Sequence, residues 1–425
     1  MDDPEYMAFA SWLRAGEVPP SLDRFVAGYI REQGWVREPA RAAAVVRFLD
    51  DAVAWGTLAT LAEQARGKLP SALQAFCAAH RRPRELLQSW RAAGPDFAAR
   101  VRGWASGADP LGLRAGLDEI ARLHHDEDLR LWARMVRGGV PPWHAPCVQA
   151  RAVASGEGWV HRWIDRQSSR PPTWVRVAEP RKLPTVRGLL EGEGLVAVER
   201  VGAALAVRGD TPVMRTRAWR EGRIEIQDLG SQLVGESVPV RPGEHAWDAC
   251  AGTGGKTLQL WSRMEGRGTI HATDAAPPRL VELRKRLKRA GVHNVRVAFW
   301  DGRVTPPLPP DVASRGGYDA VLVDAPCSGS GTFRRRPDAR LRTQPSANRK
   351  WARQQVDLLD AASRSARVGG SVTYATCSPW VDEDEAVVSA FLERRKEWSL
   401  SRQVLVGAPD HDADTLFVAV LRRQR

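Results

Sequence analysis

Two cysteines stand directly behind β-branched, apolar runs: Cys327 in Asp324-Ala325-Pro326-Cys327-Ser328, and Cys377 in Thr373-Tyr374-Ala375-Thr376-Cys377-Ser378. A thiolate adds to electron-poor carbon, and a second polar group beside it can assist the later release of the product. An isolated buried cysteine is ordinarily a small hydrophobe, which is the reading for Cys77, Cys147 and Cys250. Cys327 and Cys377 differ, because each follows a strand signal and carries polar neighbours that would be costly to bury idly. A parallel α/β sheet offers the carboxyl ends of its strands to ligand, so thiols about fifty residues apart can meet over one substrate.

A third segment, Asp248-Ala249-Cys250-Ala251-Gly252-Thr253-Gly254-Gly255-Lys256-Thr257, follows the strand pattern Ala246-Trp247-Asp248. Its glycines let a ligand approach the backbone, and the helix behind it supplies free N–H groups. A Walker A loop requires glycine where Cys250 stands, and a dinucleotide fingerprint requires glycine where Thr257 stands, so both phosphate-binding readings fail. ATP hydrolysis is disfavoured on the same ground. The following strand signals end at Asp274, placed to accept hydrogen bonds from ribose hydroxyls, and at Asp301, placed to face an adenine edge. The order of these features favours S-adenosylmethionine, with Cys250, Ala251, Gly252, Thr253, Gly254, Gly255, Lys256, Asp274, Asp301 and Asp324 around it.

The elements that must position these residues fall into three parts. Residues 1–145 show helical periodicity, as in Phe25-Val26 with Tyr29-Ile30 and in Leu86-Leu87 with Trp90 after Pro83, and predict an all-α region. Residues 146–226 predict a helix through Trp163, strands at Thr173 to Val177, Leu195 to Val198 and Ala203 to Val207, and a helix at Val186 to Leu190. This is a small α+β subdomain. From 227 to 425 strands and helices alternate, which predicts an α/β, Rossmann-like, doubly wound and mostly parallel sheet.

The chain has 425 residues, 43% hydrophobic and 27% charged, with a formal net charge of +13, enough for a multidomain protein with a nucleic-acid partner. No run approaches the roughly 20 apolar residues of a membrane span. Five cysteines without paired spacing argue against a metal site, and the acidic start Met1-Asp2-Asp3-Pro4-Glu5 is unlike a signal peptide, so reduced thiols in the cytoplasm are expected. A monomer is expected. Two segments concentrate the positive charge: 279–291 carries six basic residues against Glu282, and 334–353 carries eight against Asp338. The first reads equally well as the solvated face of a helix built on Leu280, Leu283 and Leu287. The second places Arg334, Arg335 and Arg336 just after Cys327, where an RNA backbone would lie. Most of the seventeen tryptophans read as core, with Trp174 and Trp351 as candidates for stacking on a base.

Four ordered motifs carry a specific resemblance: Gln227-Asp228-Leu229-Gly230-Ser231-Gln232; Asp248-Ala249-Cys250 with Gly254-Gly255-Lys256-Thr257; Asp324-Ala325-Pro326-Cys327-Ser328-Gly329 with Arg334-Arg335 and Pro337-Asp338; and Tyr374-Ala375-Thr376-Cys377-Ser378. Together they resemble the RsmB/Sun (Nop-related) family of RNA cytosine-5 methyltransferases, over residues 227–400 and less closely over 170–228. The chain departs from the family pattern at Gly252-Thr253 for Ala-Pro, at Leu341 for tryptophan, at Asp382-Glu383-Asp384 for Glu-Glu-Asn and at Thr415-Leu416 for Gly-Phe. In the N-terminal region, Glu38-Pro39-Ala40-Arg41 replaces a basic turn. None of these removes a reacting group.

The resemblance implies methyl transfer from S-adenosylmethionine to carbon 5 of a cytosine in structured RNA, with small-subunit ribosomal RNA first and transfer RNA second. It implies Cys377 as the nucleophile, Cys327 as an aid to product release, Asp324 as the contact to the cytosine amino group and N3, and Lys256 as the holder of Asp324 or of the cytosine edge. DNA cytosine-5 methyltransferases use the Pro-Cys thiol instead, so the two cysteines could exchange roles. A non-catalytic RNA-binding or assembly factor is the alternative from another class. In the bacterial RsmB branch the N-terminal region resembles the antitermination factor NusB.

Overall fold

The computed structural model describes residues 3–16, 19–64, 69–106 and 112–425. The chain forms two compact units: Met1–Arg170 with Thr332–Ala347, and Pro171–Gly331 with Asn348–Arg425.

The second unit holds two sheets. The smaller consists of β1 (Thr173–Val177), β2 (Val196–Val201), β3 (Ala204–Arg208) and β4 (Ile224–Ile226), in the order β2-β3-β1-β4 and antiparallel throughout. The larger consists of β5 (His245–Asp248), β6 (Thr269–Asp274), β7 (Val295–Phe299), β8 (Tyr318–Asp324), β9 (Ala366–Thr376), β10 (Trp398–Gly407) and β11 (Thr415–Arg423). Its order is β10-β11-β9-β8-β5-β6-β7, with β5 to β9 parallel and β10 and β11 antiparallel at one edge. The sheet is thus mostly parallel, as expected. β8 reads Tyr-Asp-Ala-Val-Leu-Val-Asp and is buried up to its last residue, the signature of a central strand covered on both faces. The helix Pro277–Arg289 opens on two prolines and buries Leu280, Leu283 and Leu287.

Arg279, Arg284, Lys285 and Lys288 of that helix are exposed, as its reading as a solvated cationic face expects, while two of its cations turn aside. Arg286 and Arg289 both pair with the buried Glu225 of β4, Arg286 at 2.8 Å, and so fasten the small sheet to the large one. The opening motif does the same through a glutamine chain. Arg176 Nε of β1 donates to Gln227 Oε1 (2.9 Å), Gln227 Nε2 to Gln259 Oε1 (2.9 Å), Gln259 Nε2 to the Gln232 carbonyl (2.8 Å), and Gln232 Nε2 to the Gln227 carbonyl (2.8 Å). A Cβ at Gly235 would meet Gln259 Oε1 at 2.1 Å, which explains the glycine.

The first unit is helical where it is described, around a core that includes Phe9, Trp12, Phe48, Leu86, Leu87 and Trp90. Helices Ala145–Ser155 and Glu157–Arg166 belong to it, so the expected boundary near 145 moves to Arg170: the buried Trp163 and Ile164 pack with helices rather than with the small sheet. Thr332–Ala347 was expected inside the methyltransferase region, yet it forms a strap in the helical unit. Leu341 joins the helical core, Asp338 accepts the Leu22 N–H (3.2 Å), and Trp143 Nε1 donates to the Thr343 carbonyl (3.2 Å). Among the described residues no helix is long and apolar enough to cross a membrane.

Candidate active site

Parallel pairing brings the two thiol segments together. In the β8/β9 register Asp324 faces Ala375, and the Ala325 N–H donates to the Ala375 carbonyl (2.8 Å), so both chains leave the sheet side by side at their carboxyl ends. Cys327 Sγ and Cys377 Sγ lie 3.2 Å apart as free thiols, and the Cys377 N–H points to Cys327 Sγ at 3.3 Å. The Cys377 sulfur and then burial raise the Cys327 pKa well above the ordinary thiol value. Cys327 is therefore held toward its thiol form.

The Cys327 loop is held by a carboxylate that the sequence reading noted only as part of a departure. Glu383, fully buried, accepts the Ser328 N–H (2.8 Å) and Gln355 Nε2 (3.1 Å) on Oε1 and the Ser328 hydroxyl (2.5 Å) on Oε2, while Gln355 Nε2 also donates to the Pro326 carbonyl (3.0 Å). The available signal was three acidic residues directly after Pro379-Trp380-Val381, where the buried Trp380 forces part of the turn inward. Asp384 completes the support by accepting the Thr376 hydroxyl (2.6 Å) at the end of β9.

Lys256 and Asp324 form an ion pair at 2.8 Å, with the lysine side chain 10% exposed and the carboxylate 29%. Burial alone would lower the Lys256 pKa, but Asp324, with smaller help from Asp248 and Cys377, carries it above the ordinary lysine value. The loop between β5 and this lysine has Gly252 and Gly254 at positive φ. At Gly254 a Cβ would meet Leu283 Cδ1 at 2.1 Å, whereas at Gly252 it would meet nothing within 4 Å. The first glycine permits helix packing, and the second leaves open space beside the backbone for a ligand. Asp274 binds the loop through the Gly252 N–H (2.9 Å) and its own turn through the Ala276 N–H (2.8 Å). Asp248 is buried, with Oδ2 taking the Thr257 hydroxyl (2.6 Å) and Oδ1 unpartnered. The Lys256 ammonium thus has the Asp324 carboxylate against it and the buried Asp248 nearby, while Asp274 holds the adjoining loop. The acidic strand ends at Asp274 and Asp324 and the open space at Gly252 fit a cationic sulfonium donor.

Burial raises the Asp248 pKa to about 7, with the neighbouring Asp324 and Asp274 adding to the rise. The folded protein then keeps a proton that the unfolded chain loses near pH 4, so this group lowers stability as pH rises from about 4 to 7 and adds no further loss above. Asp248→Asn is expected to remove that fall, seen as a flatter urea midpoint against pH than in the parent. Parallel curves would contradict it.

The other expected residues are placed differently. Asp301 is exposed, with its carboxylate accepting the Arg303 N–H (3.0 Å) in the turn after β7. Cys250, Ala251 and Thr253 lie in the loop, where Thr253 Oγ1 accepts from Arg286 (2.9 Å). Trp174 is corrected: it is 1% exposed, packs against Ala206 and Leu229, and donates Nε1 to the Asp412 carbonyl (2.9 Å), so its ring offers no face to a base. Arg334 is also corrected as an open-surface contact, because it is buried in the helical unit with Nε donating to the Ser169 carbonyl (2.7 Å). Arg335 is half-buried and Arg336 exposed. Among the described residues no cluster of His, Cys, Asp and Glu could hold a metal ion.

Residues 238–420 match the family model described as 16S rRNA methyltransferase RsmB/F. Ribosomal RNA small subunit methyltransferase B from Salmonella arizonae is 32% identical over 255 residues, 59% of this chain and 57% of that protein, and the Salmonella newport protein matches to the same extent. The chain spans 57% of the length of these relatives. Among solved structures, PH0851 superposes with a TM-score of 0.69 at 22% identity over 99% of this chain and 98% of that one. NSun6 from Pyrococcus horikoshii gives 0.56 at 19% identity over 66% and 98%. These two likenesses concern the fold.

Proposed function

We propose that this chain, whose residues 238–420 match the RsmB/F methyltransferase model, uses S-adenosylmethionine to methylate carbon 5 of a cytosine in structured RNA, with small-subunit ribosomal RNA as the substrate. The observation that carries the reading is the contact of Cys327 and Cys377 at 3.2 Å on strand ends that also present the Lys256–Asp324 pair.

Carbon 5 of cytosine is a poor nucleophile. Addition of the Cys377 thiolate to carbon 6 forms an S–C bond and gives the ring enamine character, so that carbon 5 can accept a methyl group. The loop from Cys250 to Lys256, with Asp274, would hold S-adenosylmethionine, whose sulfonium would give up its methyl group and leave as S-adenosylhomocysteine. Asp324 holds the cytosine amino group and N3 while charge develops there, and Lys256 fixes the Asp324 carboxylate. Transfer of the carbon 5 proton to the Cys327 sulfur, ionised at this stage, then restores the ring double bond and expels the Cys377 thiolate. Cys327 serves this last stage. Bonding of Cys377 Sγ to carbon 6 removes the sulfur contact that raises the Cys327 pKa, so Cys327 becomes easier to ionise. The target base must leave its stack for a thiol to reach one face and a methyl donor the other, which favours loops over duplexes.

The test is methyl transfer from labelled S-adenosylmethionine to small-subunit ribosomal RNA and to transfer RNA, with the product mapped by bisulfite sequencing. A protected cytosine in the ribosomal RNA is expected. Label at another position of the base would overturn the cytosine-5 reading, and label confined to transfer RNA would overturn the substrate.

A further inference from the structure

The helical unit contains a cavity of about 550 Å³, formed by the middle of the helix Pro39–Gln64, residues 167–170 and the strap. Its walls carry Arg47, Arg170, Arg334 and Arg340 against Asp50 and Asp51. Asp50 is paired with Arg170 at 2.5 Å, and Asp51 has Arg47 as its nearby cation, so the carboxylates are matched and the guanidiniums remain in excess.

Arg340 is the unusual member. It is 1% exposed, and its Nη1 and Nη2 donate to the carbonyls of Gly139 (2.8 Å) and Gln167. Its Nε is buried with no partner. Burial and then the adjacent Arg334 guanidinium lower the Arg340 pKa to about 9. A buried guanidinium held by two carbonyl dipoles and the edge of a cation–π contact with Phe333, with one donor unmet, is costly unless an anion completes it. Trp55 adds an aromatic surface to the same wall, and the volume lies within the roughly 300–1,000 Å³ of small-ligand sites.

We propose that this cavity binds a phosphate group of a nucleotide in the RNA chain, with Arg340 as the inner donor and Arg47 and Arg170 at the rim. Guanidinium groups recognise phosphate oxygens through charge-assisted hydrogen bonds, and a desolvated site strengthens them. The site lies outside the methyl-transfer chemistry and would hold a nucleotide other than the one modified. It rests on the RNA reading above only for the origin of the phosphate.

The test uses the full chain saturated with S-adenosylhomocysteine, so that nucleotides do not enter the cofactor loop. Calorimetry compares uridine, which has no phosphate, UMP, which has a monoester, and UpU, whose phosphate is an internal diester. UpU is expected to bind and uridine to give no heat. The exposed Arg47→Gln and Arg170→Gln variants should each weaken UpU by about tenfold and lower the salt slope by about 1. Arg340→Lys should weaken it further, with the rim variants keeping the test decisive if this one fails to fold. Equal behaviour of UpU and uridine, or unchanged UpU affinity in both rim variants, would overturn the site. Binding of UMP with rejection of UpU would overturn RNA as the source in favour of a free nucleotide. No methyl transfer is measured, so failure here and failure of the proposed activity are separate results.

Discussion

Cys377→Ala is expected to lower methyl transfer by on the order of 10⁴-fold or more, the scale seen when a covalent nucleophile is removed, and to abolish any covalent complex with RNA. Cys327→Ala should act in the opposite sense on that complex. With Cys377 intact the thiolate still adds to carbon 6 and methyl transfer proceeds, but release is slowed, and the protein should remain linked to its RNA on a denaturing gel. The two thiols differ in their surroundings before any substrate binds: the Cys377 sulfur and burial raise the Cys327 pKa, and the Cys327 loop is clamped by Glu383. RNA containing 5-fluorocytosine provides the second measurement, since fluorine at carbon 5 cannot leave as a proton does and the adduct accumulates even in the parent protein. Loss of that adduct in Cys377→Ala and its survival in Cys327→Ala support the assignment. The reverse pattern would assign the attack to Cys327, as in the DNA enzymes.

The thiols could be found in the sequence because each sits behind an apolar strand whose burial is written in its composition, and β8 and β9 form where Ala320 to Val323 and Ser371 to Tyr374 predict them. Their contact depends on the parallel register between those strands, a long-range property that neither segment states alone. Lys256 was visible through its glycine turn, which has to take a left-handed backbone at Gly254 to let Leu283 approach. Glu383 was hidden, since a buried carboxylate is unexpected without its donors, and the donors Ser328 and Gln355 come from elsewhere in the chain. The arginine run misled for a related reason. Composition gives its charge, but only packing shows that Arg334 and Arg340 turn inward among helices, and that Leu341 takes a place in their core. Trp174 failed as a stacking surface because its face of the small sheet is covered by Leu229 and Ala413, while Val175 and Val177 pack on the helix with Val186 and Leu190.

The second large effect is expected at the ion pair. Lys256→Met should destabilise the protein by about 2–3 kcal/mol, below the roughly 3–5 kcal/mol for breaking a fully buried pair because Asp324 is partly open to solvent. The pKa of Lys256 is raised in the folded state, so the pair's contribution is fully present below the ordinary lysine value of 10.5 and is lost only as pH rises through the higher folded value. Urea midpoints of parent and variant should therefore differ by a constant amount through neutral pH and converge only in strong alkali. Convergence near neutrality would mean that Lys256 does not carry its charge in the fold. Asp324→Asn separates stability from chemistry, because the amide keeps the shape and one oxygen but can no longer accept at both atoms or offset charge on the cytosine edge. Turnover should fall by about 10²–10³-fold, the usual loss when one preorganised polar partner of a developing charge is removed, with KM for RNA little changed. A rise in KM at constant kcat would make Asp324 a ground-state binding group. Unchanged turnover would leave Lys256–Asp324 as a structural pair, and the charge that develops on the ring would then need a partner other than this carboxylate.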